Sequence, residues 1–363
     1  MPKSPAPLYK IPFLNIILWL LIAPFLLTSC EKPASETHPS AENLEPSRQT
    51  LYVFGTLVNI ELYADNPQQA QTAIQQIEQR FHQLHRDWHA WEKGGIIARI
   101  NQAIANQTPI TIPDSLKTFI QKSQQLCQSS QGYFDPGIGS LIALWGFHSD
   151  HWQGPPPSAA ALQAYRQNRP SILDIQIQGN QLTSRNPQVA LDFGGNAKGL
   201  ALDIAQQSLQ KAGIQHALIN IGGDIQTLGL KPNHQPWRIG IQNPQNPKAA
   251  PIGYIELNSH ESIVTSGTYQ RYYRWQNQSY SHLLNPKTGY PIDHEKPHFT
   301  SVTVIHPDAT TADAAATALI IAGPKHWQSV AQQMKITQAL LIDSTGNRHF
   351  TPAMQKRFHP LPN

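Results

Sequence analysis

The sequence predicts an α+β fold, a single large domain in which mixed, mostly antiparallel sheets are flanked by helices. The 363 residues are 40% hydrophobic, which is enough to build a core of native size. Helical and strand-like periodicities both recur along the chain. In its second half, several strand-like runs follow one another with only turns between them, which favours antiparallel pairing over a doubly wound parallel sheet.

The composition argues against several classes of function. Charged residues make up only 14% of the chain, and its 27 Lys and Arg form no basic stripe interleaved with aromatic residues. Nucleic acid is therefore not an expected partner. The two cysteines, Cys30 and Cys127, cannot make a disulfide framework, and they form no Cys-x-x-Cys pair. We expect neither zinc nor thiol chemistry.

The first 29 residues have the layout of a bacterial lipoprotein signal peptide. Lys3 and Lys10 precede an apolar stretch that ends in Leu-Thr-Ser-Cys30, just before a polar run. We expect Cys30 to be acylated and to anchor the mature chain. An uncleaved membrane-spanning helix is the alternative, but the stretch is shorter than the about 20 residues that such a helix needs.

A lipid anchor at Cys30 would determine where the protein is located. Residues 30–49 are rich in Pro, Ser, Glu and Asn, which is typical of a flexible tether. Residues 50–363 would then form the folded domain, lipid-anchored in the bacterial cell envelope and facing the periplasm. The sequence leaves open whether the anchor lies in the inner or the outer membrane.

Within the domain, a strand-like run broken by Gly55 comes first, and Pro67 then opens a Gln-rich helix. Helical periodicity is found near residues 68–85, 114–129, 158–168, 198–212, 309–322 and 325–335. Strand-like runs are found near residues 172–183, 216–229, 237–242, 252–264, 269–275, 299–306 and 337–343. The alternation of these runs gives the predicted α+β order.

Two glycine pairs stand beside aspartates. The segment Asp192-Phe-Gly-Gly-Asn-Ala-Lys198 leaves a strand-like edge and enters a helix, so it could present amides and a lysine to a phosphate. It matches neither the Walker nor the dinucleotide pattern, and a plain glycine-rich turn explains it equally well. Gly222-Gly223-Asp224 fits a type I′ or bulged hairpin. Alternatively, both glycine pairs frame one cavity, because close approach to a ligand requires missing side chains.

Asp313 and Thr317 stand four residues apart in a helix-like run of small residues, which places them on one helical face. Magnesium takes oxygen ligands and keeps waters and substrate phosphates in its other positions, so these two side chains would be a sufficient protein contribution. The alternative is an aspartate that favours the helix dipole and a threonine that bonds to a backbone carbonyl.

Two further segments could carry chemistry. His282 precedes a turn dense in Asn, Pro and Gly, and a turn of this kind would fix a general base, although a surface histidine is the simpler interpretation. Tyr133-Phe134-Asp135 stands beside loop glycines, where the aromatic rings could stack on a planar ligand or form a buried corner.

Together and in this order, the motifs resemble those of the ApbE family of FAD:protein FMN transferases. The resemblance runs from about residue 50 to near the C-terminus and includes Gly55, the two glycine pairs, Thr265-Ser266-Gly267 and the segment 282–291. It implies that FAD is bound at eight positions, which are Phe54, Trp91, Tyr133, Phe134, Asp135, Asp192, Lys198 and Leu284. It also implies that Mg²⁺ is held by the side chains of Asp313 and Thr317 and the backbone carbonyl of Gly195.

The resemblance further makes His282 the candidate general base. The chain departs from the family pattern at Phe54, where Met is common, at Asn196, where an aliphatic residue is usual, and at Asn285, where many members have Asp. The implied reaction is Mg²⁺-dependent transfer of FMN from FAD to a threonine of an acceptor flavoprotein, with release of AMP. A subunit of a respiratory ion-pumping complex is one such acceptor. The alternatives are an FAD pyrophosphatase and a non-catalytic flavin-binding lipoprotein.

Overall fold

The structure, a computed structural model, describes residues 45–92, 94–149, 154–269 and 271–362, which belong to one unit. The predicted signal peptide, Cys30 and most of the predicted tether lie outside these residues. In the part of the chain that is described, no helix is both long and apolar enough to cross a membrane.

The helices and strands follow the predicted mixed order. The helices are α1 Pro67–Trp88, α2 Ile96–Ala105, α3 Asp114–Ser129, α4 Gly139–Leu144, α5 Ala159–Gln167, α6 Ala197–Lys211, α7 Ala309–Gln333 and α8 Pro352–Arg357. The strands are β1 Ser47–Val53, β2 Thr56–Tyr63, β3 Ile110–Thr111, β4 Ile175–Gln178, β5 Gln181–Ser184, β6 His216–Ile221, β7 Asp224–Leu228, β8 Trp237–Ile241, β9 Gly253–Leu257, β10 Ser262–Gly267, β11 Tyr272–Trp275, β12 Gln278–Ser281, β13 Phe299–His306, β14 Ala339–Asp343, β15 Arg348–Phe350 and β16 Phe358–Pro360.

The main sheet has eight strands in the order β1-β2-β6-β7-β10-β13-β14-β15. All of its neighbouring strands pair antiparallel. Smaller sheets are formed by β16-β9-β8, by β3-β5-β4 and by the hairpin β11-β12. The predicted α+β class with mostly antiparallel sheets is therefore confirmed.

The two faces of the main sheet belong to two cores, because successive side chains of a strand point to opposite faces. In β13, Val302 and Val304 pack with the buried alanines of α7. Ile305 points to the other face, where it packs with Trp237 and Ile255 of the small sheet. Helix α7 therefore lies flat on β10 and β13.

The start of α7 is fixed by side chains from elsewhere in the chain. Asp308 caps the helix by accepting a hydrogen bond from the amide of Thr311 (2.7 Å), and it pairs with Lys122 of α3 (2.5 Å). Asp203 of α6 accepts hydrogen bonds from the amides of Ala309 (2.9 Å) and Thr310 (3.0 Å). The first turns of α7 are thus held in register with α6.

Some helices and strands begin or end at residues other than those predicted. The first strand begins at Ser47, so residues 47–49 of the predicted tether belong to the sheet. The run 252–264 is two strands rather than one, and helices α2 and α4 were not predicted. The break predicted between residues 322 and 325 is confirmed, because Gly323 has a φ of 67° ahead of Pro324 within α7.

Candidate active site

Two hairpin turns lie side by side at one end of the main sheet. Phe54 and Gly55 (φ 58° and 69°) join β1 to β2, and Gly222 and Gly223 (φ 60° and 101°) join β6 to β7. Positive φ at both central residues is what a type I′ hairpin requires, so the hairpin interpretation of Gly222-Gly223 is confirmed. A Cβ on Gly222 would lie 2.7 Å from Oγ1 of Thr56 in the adjacent turn. The two turns are therefore packed without room for a side chain between them.

The turn that enters α6 brings together two residues that the family resemblance assigns to FAD. Oδ1 of Asp192 accepts a hydrogen bond from the amide of Gly194 (2.8 Å). Oδ2 of Asp192 accepts one from Nε1 of Trp91 (2.8 Å). This contact joins residues 101 positions apart in the sequence. The indole is therefore fixed by the same carboxylate that shapes the glycine turn.

Replacing Trp91 with Phe tests this contact. The change keeps an aromatic ring and removes the Nε1 donor to Asp192. We expect the dissociation constant for FAD to rise about tenfold or more, in line with the about 1.5–3 kcal/mol that a hydrogen bond to a charged group contributes. Quenching of flavin fluorescence on binding measures it. An unchanged dissociation constant would show that the indole nitrogen does not order the site.

Helix α6 crosses α7 at Gly199. A Cβ there would lie 2.3 Å from the carbonyl oxygen of Ala309 and 2.7 Å from Cα of Thr310, both backbone atoms of α7. This close approach allows the amide of Gly199 to donate a hydrogen bond to Oδ2 of Asp313 (2.9 Å). The glycine therefore places the first turn of α6 directly against the carboxylate of α7.

Asp313 and Thr317 form a set of oxygen donors with neighbours from two other elements. Oγ1 of Thr317 lies 3.4 Å from Oγ of Ser266, at the end of β10. Gly195 lies beside Thr317, since a Cβ on it would be 3.5 Å from Oγ1 of that threonine. A carboxylate and hydroxyls are hard ligands of the kind that Mg²⁺ prefers, and the family resemblance adds the backbone carbonyl of Gly195 to them. The residues present therefore fit this cation.

Asp313 is buried, with 3% of its surface exposed. Burial raises the pKa of its carboxyl above the ordinary value, an effect opposed by the charge of Lys198 and reinforced by that of Asp224. A bound cation would favour the ionised carboxyl and so offset the cost of burying it.

Lys198, the second residue of α6, forms an ion pair with Asp224, and its side chain is 31% exposed. Burial alone would lower the pKa of Lys198, but the charges of Asp224 and Asp313 raise it above its ordinary value. The ammonium is therefore charged at any physiological pH. It supplies positive charge in the first turn of α6, directly after the turn that contains Asp192.

The Tyr133-Phe134-Asp135 segment has mixed surroundings. Lys287 lies 3.7 Å from the centroid of the Tyr133 ring, and Phe134 is close to Gly195, with Cε2 3.4 Å from where a Cβ on that glycine would be. Oδ1 of Asp135 accepts hydrogen bonds from the amides of Gly137 (2.9 Å) and Ile172 (2.9 Å). Phe134 thus borders the site beside Gly195, whereas this oxygen of Asp135 ties two loops together.

The other two positions assigned to FAD lie in packed surroundings. The ring of Phe54 packs edge-on against Phe81 (5.4 Å) and His85 (5.9 Å). Leu284 is 3% exposed and clusters with Trp145 and other buried residues. Phe54 remains at the sheet end, in the turn next to Gly222.

His282 directly follows β12 and is held by Arg271. Its Nδ1 lies 2.9 Å from the carbonyl oxygen of Arg271, which also accepts a hydrogen bond from the backbone amide of His282 (3.2 Å). Because a carbonyl can only accept, Nδ1 carries the proton, and the lone pair of Nε2 is left to accept one. Burial and the charges of Arg271 and Lys198 lower the pKa of His282 to about 4, although the bond to the carbonyl opposes this.

Comparison with known proteins agrees with this geometry. A model of the ApbE family matches residues 54–341. The chain belongs to the ApbE family.

Relatives and solved structures of ApbE proteins cover most of the chain. An "FAD:protein FMN transferase" of Rhodobacter capsulatus is 36% identical over 86% of this chain, which spans 58% of that relative's length. One from Vibrio cholerae is 29% identical over 89% of this chain and 93% of its own. The crystal structure of the Thermotoga maritima ApbE protein matches with a TM-score of 0.78, 26% identity, and coverage of 86% of this chain and 99% of its own. The flavin transferase ApbE from Vibrio cholerae gives a TM-score of 0.75 at 27% identity, covering 86% of this chain and 99% of its own.

The departure from the ApbE pattern at Asn285 leaves the turn after His282 intact. Oδ1 of Asn285 accepts a hydrogen bond from the amide of Lys287 (2.9 Å), as an aspartate would. Its backbone bonds to Tyr290 (2.8 Å) and Gly289 (2.9 Å) close the turn. The asparagine therefore supplies the same local fold.

Sequence reasoning missed three residues that support the ApbE site. Asp203 fixes the start of α7, and therefore the position of Asp313, but no motif distinguishes it from other helix aspartates. His85 and His89 stand one helical turn apart, with ring centroids 5.7 Å from each other, and His85 also contacts Phe54. Their four-residue spacing was a visible signal that the sequence analysis did not use.

Proposed function

We propose that this chain is an FAD:protein FMN transferase, which moves FMN from FAD to a threonine hydroxyl of an acceptor flavoprotein and releases AMP. The observation that carries the proposal is the convergence of Asp313, Thr317 and Lys198 at the end of the main sheet, in a chain of the ApbE family. Trp91 and Asp192 at the same entrance to α6 support it, because an aromatic ring and ordered amides suit a flavin nucleotide.

The residues divide the reaction between them. Asp313 and Thr317, with the carbonyl of Gly195, would hold Mg²⁺, which neutralises charge on the FAD pyrophosphate and on the AMP leaving group. Lys198 adds a second positive charge for the phosphates. The threonine oxygen bonds to the phosphorus of FMN, the bond from that phosphorus to the AMP oxygen breaks, and the hydroxyl proton passes to Nε2 of His282. Positioning and electrostatics supply most of the rate in such transfers.

The low pKa of His282 predicts the acidic limb of the pH profile. Above about pH 4 the imidazole is neutral and can accept a proton, and below it the base is lost. At saturating Mg²⁺ we expect kcat/KM for the acceptor to fall about tenfold per pH unit below this value. Initial rates between pH 3 and 8 measure it. A limb at the ordinary histidine pKa near 6.5 would show that the burial of His282 does not persist in the working enzyme.

The proposed function is tested with the full chain, FAD, Mg²⁺ and an acceptor domain that carries an Asp-Gly-x-Thr segment. The mass of the acceptor should increase by one FMN phosphoester, with an equal amount of AMP formed. Release of AMP and free FMN without that increase would favour the pyrophosphatase, in which water replaces threonine. Bound flavin without AMP would favour a non-catalytic flavin-binding lipoprotein.

We also propose that the protein is lipid-anchored through Cys30 and acts on the periplasmic side of the bacterial envelope. The pattern of residues 1–29 supports this, and acyl chains at about 0.8 kcal/mol per buried methylene would make attachment durable. We expect Cys30→Ser to shift the protein from the membrane fraction to the soluble fraction. Fractionation followed by mass analysis of the mature N-terminus measures it, and an unmodified Cys30 would refute the anchor. The acceptor is then a flavoprotein reachable from that side, such as a subunit of a respiratory ion-pumping complex.

A further inference from the structure

The Gly222-Gly223-Asp224 motif lies in the site, but the proposed reaction gives its aspartate no role. Asp224 is the first residue of β7 and is 1% exposed. Its Oδ1 accepts a hydrogen bond from the amide of Thr265 in β10 (3.1 Å), and its Oδ2 pairs with Lys198. Both oxygens of this buried carboxylate are therefore engaged within the protein.

Asp224 cannot move easily. The two glycines before it are in left-handed turn geometry, and a hydrogen bond from the amide of Gly223 to Oδ1 of Asn220 (2.8 Å) fixes the turn. The tie to Thr265 then holds the carboxylate against the next strand. Lysine, by contrast, carries its charge on a long and flexible stem. In this pair the carboxylate is the fixed partner and the ammonium is the movable one.

A second carboxylate lies next to the backbone of Lys198, because the amide of the following residue, Gly199, donates a hydrogen bond to Oδ2 of Asp313 (2.9 Å). The charges of Asp224 and Asp313 both raise the pKa of Lys198. A lysine paired with Asp313 would neutralise the carboxylate on which a divalent cation depends. An ammonium and a metal ion compete for one carboxylate, because each is a cation that is attracted to the same negative charge.

We propose that Asp224 is a positioning residue that holds the ammonium of Lys198 away from Asp313. Asp313 is then available to a divalent cation while Lys198 faces the phosphates of FAD. The inference rests on the proposed function where it names FAD as the nucleotide. The part that concerns Mg²⁺ binding rests on the contacts of Asp224, Lys198 and Asp313. In this proposal, the turn at Gly222-Gly223 fixes the carboxylate of Asp224 opposite the flexible side chain of Lys198.

The test is a double-mutant cycle on the full chain, with Mg²⁺ alone as one probe and FAD alone as the other. In Asp224→Asn, Lys198 pairs with Asp313, so the dissociation constant for Mg²⁺, measured by calorimetry, should rise about tenfold. Lys198→Met should bind Mg²⁺ at least as tightly as the wild type but FAD more weakly, as measured by flavin fluorescence. The double variant should regain the wild-type affinity for Mg²⁺, because the competing ammonium is gone.

The recovery in the double variant is the decisive result, since a merely structural role for Asp224 would weaken Mg²⁺ binding with or without the lysine. A Mg²⁺ affinity of the double variant below that of the wild type, or an Asp224→Asn variant that binds Mg²⁺ normally, would overturn the proposal. If Asp224→Asn does not fold, Asp224→Ser takes its place in the cycle, with the same expected loss and recovery of Mg²⁺ affinity.

A matched control is Glu256→Gln, which makes the same change of charge in the exposed Arg238–Glu256 pair (2.9 Å) of the small sheet. It should leave both affinities unchanged. Failure of the wild type to bind FAD would count against the proposed function, whereas the Mg²⁺ cycle would still test the role of Asp224.

Discussion

Asp313→Ala should abolish most of the flavin transfer, lowering kcat by about 10²–10³-fold or more. The buried carboxylate is the charged member of the oxygen set that would hold Mg²⁺, and Thr317 and a backbone carbonyl supply no compensating charge. The rate of FMN transfer by mass spectrometry and the Mg²⁺ affinity by calorimetry measure the effect. The transfer rate and the Mg²⁺ affinity should fall together, because the reaction depends on the cation that the Asp313 carboxylate would hold.

Two variants separate loss of the cation from loss of the fold. Asp313→Asn keeps an oxygen that can accept the amide hydrogen bond of Gly199 (2.9 Å in the wild type) but removes the charge, so it should fold normally and still lose activity. Asp308→Ala lies on the same helix and removes its N-cap, which should cost about 1 kcal/mol of stability while Mg²⁺ binding persists. An active Asp313→Asn would contradict the assignment of this carboxylate.

Gly199→Ala is expected to destabilise the protein by about 3 kcal/mol and to weaken Mg²⁺ binding at the same time. The added Cβ would lie 2.3 Å from the carbonyl oxygen of Ala309, and backbone atoms of α7 can yield only if the two helices separate. Separation also moves the amide of Gly199 away from Asp313. Urea denaturation measures the free energy of unfolding, and calorimetry measures the Mg²⁺ affinity.

The sign of the Gly199→Ala effect is informative, because helix propensity alone would favour alanine by about 1 kcal/mol. A stabilised variant would therefore show that the helix crossing is looser than described. Gly240→Ala is the matched control, since a Cβ there would meet only the side chain of Pro251, at 3.1 Å. Its stability should change by less than about 1 kcal/mol.

The sequence predicted the helices and strands whose periodicity is regular. It also predicted which residues share a face when they are close in sequence. Asp313 and Thr317 could be placed on one face because helical spacing is local, and Gly323-Pro324 marked the break in α7 for the same reason. Helix α4 was missed because six residues are too few to establish a period. The second strand of the run 252–264 was missed because residues Asn258 to Glu261, which separate the two strands, contain no Gly or Pro.

Contacts between distant residues could not be predicted in this way. Nothing in the neighbourhood of Trp91 signals that its indole meets Asp192, and Lys198 gives no local sign that it pairs with Asp224. These contacts arise from the strand order of the main sheet and from the crossing of α6 and α7. The family resemblance supplied most of these residues as a group, whereas the structure supplies the partners that explain their positions.

The strand order of the main sheet has a consequence for how the protein becomes active. Strand β2 pairs with β6, so Val58 lies opposite Ile221, and β10 joins β7 to β13 only after most of the chain is present. Contacts so distant in sequence slow folding, because long loops must close before the pairing stabilises them. Nucleotide affinity should therefore emerge as the last event of folding. Flavin binding would then report completed folding, and a nascent chain would remain inactive until the main sheet is complete.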